Sequence, residues 1–316
     1  MDIVKSIVRR ATRDDKLNII VIGATHERYE SQLAKTGHNF FCLEHGKKWE
    51  KKYAPIPENY SIINQVPYHE EFDLILLHTS GERYGLAKQI QEYCQIPILK
   101  HCHVLPQTEE EIYLFNQEKV DLNTFISDFS KKAWRNDGVT ITHGLDTDFW
   151  TPGNKERNSH LLSVVNYWRD RDWACGWNLW NRIRNGLPIK VVGNNQPLSE
   201  PAKNTEELRN FYQTSTIFLN TSLHSPVPMA LLEAMACGCA IISTATCMIP
   251  DIIQHEKNGL ISNNEDELRY YCELLLNNPD RAKTFGERAR ETIEKEYNIE
   301  KFKNSWNNAF NKVLYK

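Results

Sequence analysis

The sequence predicts an α/β protein of two doubly wound, Rossmann-like domains facing each other across a cleft, and three observations predict it. Short apolar runs alternate with helical stretches along the chain. The alternation pauses at a polar, glycine-containing joint near 152–158 and then restarts. The composition points to no other class: of 316 residues, 41% are hydrophobic and 25% charged, which leaves room for one large or two ordinary globular domains. A net charge of −3 gives no general attraction for nucleic acid or an anionic membrane. No apolar run approaches the ~20 residues that span a bilayer, and Met1–Arg10 lacks the apolar core of a signal peptide. Val4–Arg13 reads as a short, basic, solvated amphipathic helix. The cysteines at 42, 94, 102, 175, 237, 239, 247 and 272 are scattered without a CxxC pair, as buried thiols of a cytoplasmic protein are. Cys94 with His101-Cys102-His103 fits no standard spacing, so no metal is expected.

In the first half, Leu17–Ile22 is a continuous apolar run ending at Gly23, the pattern of a parallel strand buried on both faces. A helix follows to about Lys35, with Thr25 placed to cap it and His26 and Arg28 on the exposed side of the turn. One glycine is no dinucleotide fingerprint. Asn39–Leu43 is the second strand, 44–70 a polar connection with prolines at 55, 57 and 67, and Phe72–Leu77 the third strand, ending at His78. A helix through Leu86–Cys94 leads to strand Ile96–Leu99, which ends in Lys100-His101-Cys102-His103. His26, His78, His101 and His103 therefore fall at strand ends on one sheet edge, where open α/β sheets bind ligands. Helix Glu109–Gln117, strand Thr124–Ser127, helix Ser130–Asn136 and strand Val139–Thr142 complete this half.

The second half repeats the scheme. Strand Leu161–Val165 is followed by Asn166-Tyr-Trp-Arg169-Asp-Arg171, helix Gly176–Arg184 and strand Ile189–Val192, which ends at Gly193-Asn194. Helix Glu206–Thr214 and strand Thr216–Leu219 lead to the central stretch, Ser225-Pro-Val-Pro-Met-Ala-Leu-Leu-Glu233-Ala-Met-Ala-Cys-Gly238, and strand Ala240–Ser243. Helices Glu265–Asn277, Pro279–Tyr297 and Ile299–Leu314 close the chain. In the central stretch Pro226 and Pro228 fix the approach, Met229–Ala236 are good helix formers and Gly238 is a natural stop. A helix opening on such a loop presents N–H groups and a positive dipole end to a phosphate. Glu233, about one turn inside, is placed to hold a ribose diol, although the same pattern fits an ordinary buried α/β unit. Trp173, Trp177 and Trp180, at helical spacing, are expected to pack, and Trp168 or Trp173 to offer a stacking surface for a sugar or base.

Several of these stretches together resemble family 4 glycosyltransferases of GT-B architecture, "glycosyl transferases group 1", over roughly 120–310. His143-Gly-Leu-Asp146-Thr-Asp148-Phe-Trp150-Thr-Pro152 is similar to the family's "NGVDTxxFxP". Leu231-Leu-Glu233-Ala-Met-Ala-Cys-Gly238 with Ile241-Ile-Ser-Thr is similar to "LEAMACGxPVVAT". Ile249-Pro-Asp251-Ile-Ile and Lys257-Asn-Gly259-Leu resemble "xPEIV" and "xNGxLV". The first 110 residues match only in architecture.

The resemblance implies retaining, metal-independent transfer from a nucleotide-diphosphate sugar to an acceptor hydroxyl, with no cofactor. It implies an acceptor-side domain over 1–152, a donor domain over 153–297 and a helix over 298–316 returning to the first domain. Glu233 matches the second glutamate of the family's E-x7-E, which takes the ribose hydroxyls. The first falls at Ser225, a departure that leaves the sugar to Ser225 or His224, or weakens the enzyme. Arg171 and Arg169 match the basic pair that neutralises the diphosphate, since with no metal guanidinium groups and helix N-termini must absorb the leaving charge. Pro228, Met229, Gly193 and Asn194 would border the donor. His101, His103 or His78 would stand near the reacting carbon, and Gly23, Thr25, His26 and Arg28 would border sugar and acceptor. The leaving phosphate itself is expected to take the acceptor's proton, the histidine polarising and positioning. A glycan or lipid-linked sugar is the default acceptor, and a modified nucleic-acid base an alternative the charge does not support. A non-catalytic nucleotide-sugar-binding relative is the reading from a different class, kept open by Ser225.

Overall fold

The computed structural model describes residues 16–43, 49–67, 70–78 and 81–315, so the helix expected over Val4–Arg13 lies outside the described residues. The chain forms two compact units, Met1–Thr142 with Phe302–Lys316, and His143–Lys301.

Unit 1 is built on a seven-stranded sheet: β1 (Asn18–Ile22), β2 (Asn39–Leu43), β3 (Tyr60–Ile63), β4 (Leu74–Leu77), β5 (Ile98–Cys102), β6 (Leu122–Phe125) and β7 (Val139–Thr140), in the order β3-β2-β1-β4-β5-β6-β7. Its ladders are all parallel, with Ile20 of β1 between Phe41 of β2 and Ile75 of β4. β1, β4 and β5 are buried at every position, which is why β1 and β4 read as apolar runs rather than as alternation, while β5 extends past the apolar run read over Ile96–Leu99 to bury Lys100, His101 and Cys102 as well. The crossovers include α1 (Glu27–Ala34), α2 (Glu82–Cys94), α3 (Glu109–Gln117) and α4 (Asp128–Ala133). Thr108 and Ser127 cap α3 and α4 with their hydroxyls. The strand order reverses between β1 and β4, the switch point where α/β sheets leave a crevice at their carboxyl ends. β3 corrects the polar connection read over 44–70: as an edge strand it buries only Tyr60 fully, too little apolar sequence to announce itself.

Unit 2 holds a five-stranded parallel sheet, β8 (Asn158–Val164), β9 (Ile189–Val192), β10 (Ser215–Asn220), β11 (Ala240–Ser243) and β12 (Leu260–Ile261), ordered β12-β11-β10-β8-β9. Its helices are α5 (Asp172–Cys175), α6 (Trp177–Ile183), α7 (Thr205–Thr214), α8 (Met229–Ala236), α9 (Ile249–Ile252), α10 (Glu265–Leu276) and α11 (Pro279–Glu296). The core packs Leu161, Trp180, Ile217, Leu219 and Ile242 against Leu268, Cys272, Leu275 and Phe285 of the last two helices. α8 is buried from Leu231 to Ala236, as expected of a helix apolar on every side. α11 presses against the turn that ends it: a Cβ on Gly286 would lie 2.2 Å from the Gly238 carbonyl oxygen. β8 begins at Asn158, so the segment read as a linker is partly strand.

The division between units, at Thr142–His143, differs from the sequence boundary at 152 by the motif His143–Pro152. That motif packs within unit 2, where Leu145 N–H donates to the Tyr297 carbonyl at 2.7 Å and Arg290 to the Thr147 carbonyl at 2.9 Å. The final helix, α12 (Ile299–Leu314), places Phe302 on Tyr29, Trp306 on His101 and Phe310 on His38, at ring separations of 5.7, 4.9 and 5.4 Å, all within unit 1. Among the described residues no helix is long and apolar enough to cross a membrane.

Candidate donor and histidine sites

In unit 2 the switch point lies at β8, whose carboxyl end is flanked by the loops after β10 and β9. The loop after β8 is pinned by Trp168, which is 1% exposed, donates Nε1–H to the Cys175 carbonyl at 2.9 Å and packs on Trp180 with centroids 4.4 Å apart. With Trp168 turned inward, Arg169 and Arg171 are left on the exposed side, Arg169 stacked over Trp177 at 4.8 Å. Neighbouring Asp172 is turned to Asn178, whose backbone N–H it accepts at 2.7 Å. Two further loops hold this one. A Cβ on Gly193 would lie 1.9 Å from the Val165 carbonyl, and Asn194 donates its backbone N–H to Asn166 at 2.8 Å and its amide to the Tyr167 hydroxyl at 3.1 Å. On the other side Leu223 and His224 donate backbone N–H groups to the Ala174 carbonyl at 2.8 and 3.1 Å, and Thr221 donates its hydroxyl toward the carbonyls of Cys175 and Gly176. Gly176, at φ 66°, meets this loop so closely that a Cβ would fall 2.1 Å from the Thr221 carbonyl.

This stitched pair of loops delivers the chain to α8. Ser225 is half-buried, and the Cys247 thiol, whose pKa burial raises, reaches toward the neighbouring Leu223 carbonyl at 3.7 Å. Pro228 occupies the N-cap of α8 and no side chain caps the first turn, so its N–H groups and positive dipole end are not neutralised by a capping oxygen. Thr244 and Thr246 tie the loop after β11 to the Ser222 carbonyl at 2.5 and 2.6 Å. Glu233 is 2% exposed and accepts the Tyr212 hydroxyl of α7 at 3.1 Å. Arg171, Arg169, Gly193, Asn194, His224, Ser225, Pro228 and Met229 thus share the carboxyl edge of the unit 2 sheet, with Glu233 inside α8. His224 Nε2 is buried without a hydrogen-bond partner among the described residues, and its ring lies 5.5 Å from that of Trp173.

Two tryptophan readings are corrected. Trp168 is sealed in the core and offers no stacking face. Trp173 does not share a helix with Trp177 and Trp180: Gly176, in the left-handed region, separates α5 from α6, and Trp173 is 54% exposed.

In unit 1 the three histidines converge. His78 Nδ1 and His103 Nε2 are 2.8 Å apart, and the His101 and His103 rings meet edge-on at 4.4 Å. His101 is 0% exposed and fully engaged. Thr124 gives its hydroxyl proton to the Lys100 carbonyl, so it must accept from His101 Nδ1 at 2.8 Å, and His101 Nε2 in turn accepts the Tyr29 hydroxyl at 3.0 Å. Those contacts tie His101 into the core and leave half-buried His103 as the one of the three nearest solvent. Burial lowers the pKa of His78, with Glu30 opposing. The loop after β1 behaves differently from expectation. His26, not Thr25, is the N-cap of α1, its Nδ1 accepting Arg28 N–H at 3.2 Å, because Thr25 is drawn to Glu30 through its backbone N–H at 2.8 Å and its hydroxyl at 3.1 Å. His26 packs on Tyr53 at 5.1 Å. Gly23, at φ 77°, makes the turn out of β1 that only glycine enters readily. Among the described residues, no three His, Cys, Asp or Glu side chains are placed to hold a metal ion.

Sequence reasoning missed Arg157 and Arg290. Arg157 donates to the carbonyls of Ser215, at 2.5 Å, and Cys237; Arg290 donates to those of Ala236, at 2.8 Å, and Trp150. Both guanidiniums thereby hold the carboxyl end of α8. Arg157 lies in the stretch read as a linker, where an arginine carries no visible signal.

Residues 199–292 match the family described as Glycosyl transferases group 1. An uncharacterised glycosyltransferase of Haemophilus influenzae is 24% identical over 174 residues, 48% of this chain and 49% of that protein, so the chain spans about half the length of this curated relative. Among solved structures, Anabaena Alr3699/HepE in complex with UDP and glucose superposes with a TM-score of 0.74 at 12% identity, covering 93% of this chain and 99% of the other. A glycosyltransferase from Rickettsia africae superposes with a TM-score of 0.70 at 16% identity, covering 96% and 100%. At such identities the likeness is one of fold. The chain therefore has two Rossmann-like units of the GT-B fold and carries, inside unit 2, a glycosyl transferases group 1 domain over residues 199–292.

Proposed function

We propose that the protein is a retaining, metal-independent glycosyltransferase of the family 4 type, acting in the cytoplasm without a cofactor. Unit 2 binds the nucleotide-diphosphate sugar, and unit 1 supplies the acceptor side. The observation that carries this reading is the junction of the loops after β8 and β10: it fixes two exposed arginines beside the loop that opens α8, whose first turn has no side-chain cap. A departing nucleoside diphosphate builds negative charge, and Arg171, Arg169 and the first turn of α8 are groups that absorb it without a cation. Glu233, with its partner Tyr212, is the acceptor for the ribose hydroxyls. The leaving phosphate takes the acceptor's proton, so no side chain need act as base.

Ser225 favours a second reading. With a hydroxyl where the resemblance expects a carboxylate, the chain binds a nucleotide sugar but turns it over weakly. A calorimetric screen of UDP-, GDP- and ADP-sugars, followed by assays of donor hydrolysis and of transfer to glycan and lipid-linked acceptors, separates the two. UDP-glucose heads the screen because the Anabaena protein of similar fold is seen with UDP and glucose. Binding with transfer supports the enzyme, binding without turnover supports the weakened relative, and no binding by any donor rejects both.

A further inference from the structure

At the amino edge of the unit 2 sheet, opposite the carboxyl edge that carries the donor candidates, lies a cavity of about 490 Å³. Ser159 near the start of β8 and Ile217 near the start of β10 line it, together with Leu275 and Leu276 at the end of α10 and Pro279 at the start of α11. Its size is that of a small-molecule pocket, and a mostly apolar wall with few polar groups is the usual surface of one.

Arg157 also lines this cavity and gives it a chemistry. The guanidinium is half-buried and donates to the carbonyls of Ser215, Tyr212 and Cys237. Those carbonyls are dipoles without net charge, and among the described residues no carboxylate stands within ion-pairing distance of Arg157. The thiols beside it supply no charge either, because burial raises the pKa of Cys237 and of Cys239 and keeps both neutral. The other two cations of the lining are matched. Arg290 pairs with Glu294 at 2.7 Å, and Lys283 meets Glu287 at 4.0 Å where both are mostly exposed.

A half-buried charge among apolar side chains is costly without a counter-charge, and a ligand that brings one negative charge removes that cost. The tally of charges also sets the ligand's valence. One unmatched cation suits one carboxylate, whereas a phosphate monoester, with nearly two charges, would leave the second unmatched. We propose that this cavity binds a small amphipathic monoanion, an organic acid whose apolar body lies against Ile217, Leu275 and Leu276 and whose carboxylate meets Arg157. Neither the sugar donor nor unit 1 takes part in this binding.

The test is calorimetric titration of the full chain with three probes that share one apolar body: octanoate, octyl phosphate and octanol. At pH 8 octyl phosphate is a dianion. Octanoate should bind at one site per chain, about tenfold or more tightly than octanol, and also more tightly than octyl phosphate. Arg157→Gln should bring octanoate down to the affinity of octanol. Arg157 also supports α8, so a second variant serves if that chain fails to fold. Ser159 is exposed and its hydroxyl has no partner among the described residues; Ser159→Trp sets a large ring at the cavity and should abolish octanoate binding. Arg171→Ala, on the opposite edge of the sheet, should leave octanoate binding unchanged. No octanoate binding, octanoate bound no more tightly than octanol or octyl phosphate, binding that survives Ser159→Trp, or binding lost in Arg171→Ala would each overturn the proposal. A donor screen that fails leaves all of these results standing.

Discussion

His143 shows how one side chain couples this fold to pH. It is 6% exposed at the start of unit 2, and burial lowers its pKa to about 4. Unfolded, the same imidazole titrates near 6.5, so between those values the unfolded chain binds the extra proton and stability falls as pH falls. Across that window the loss is about 3 kcal/mol, from roughly 1.4 kcal/mol per pH unit. Urea unfolding between pH 7 and 4 should therefore be flatter for His143→Asn than for the wild type by about that amount. Parallel curves would mean that His143 does not carry the effect. Gly193 is a second single-residue constraint. At φ 141°, with the Val165 carbonyl 1.9 Å from where a Cβ would stand, Gly193→Ala must push apart β8 and the loop after β9. A destabilisation of roughly 2–4 kcal/mol is expected in the same assay, since steric overlap with backbone has no flexible side chain to absorb it.

At the scale of the element, α8 is the unit whose two ends have different jobs. Its opening turn faces the proposed donor, while Arg157 and Arg290 hold its closing carbonyls, a charge-assisted cap that also suits the negative end of the dipole. Arg157→Ala or Arg290→Ala should cost about 2–3 kcal/mol, from bonds to a charged donor lost at buried carbonyls. Hydrogen exchange should then show α8 opening more readily than β1 of the other unit, which is far from the change in sequence and hydrogen bonding. Equal exchange in both would place the arginines outside the support of α8. This helix was legible in the sequence because Pro226, Pro228 and Gly238 bracket good helix formers. The arginines were not legible, because their partners lie far along the chain: Arg157 reaches Cys237 and Arg290 reaches Thr147. β3 escaped for a related reason, since an edge strand that buries only Tyr60 fully carries little periodic signal.

For the whole molecule, the two series of apolar strands and crossovers were enough to give two Rossmann-like units, because parallel strands buried on both faces write continuous apolar runs into the sequence. The sites were legible only in part. Strand ends placed His78, His101 and His103 on one edge, but only the hydrogen bonds distinguish engaged His101 from His103. The same limit applied to Trp168 and Trp173, whose opposite exposures depend on a left-handed turn at Gly176 that spacing alone does not reveal. The central claim is that unit 2 binds a nucleotide-diphosphate sugar through Arg171 and Glu233, and it is tested most directly by calorimetric titration of the best-binding donor of the screen into the wild type, Arg171→Ala and Glu233→Ala. Each substitution should weaken binding about tenfold or more, the equivalent of roughly 1.4 kcal/mol. Unchanged affinity in both variants would contradict the account.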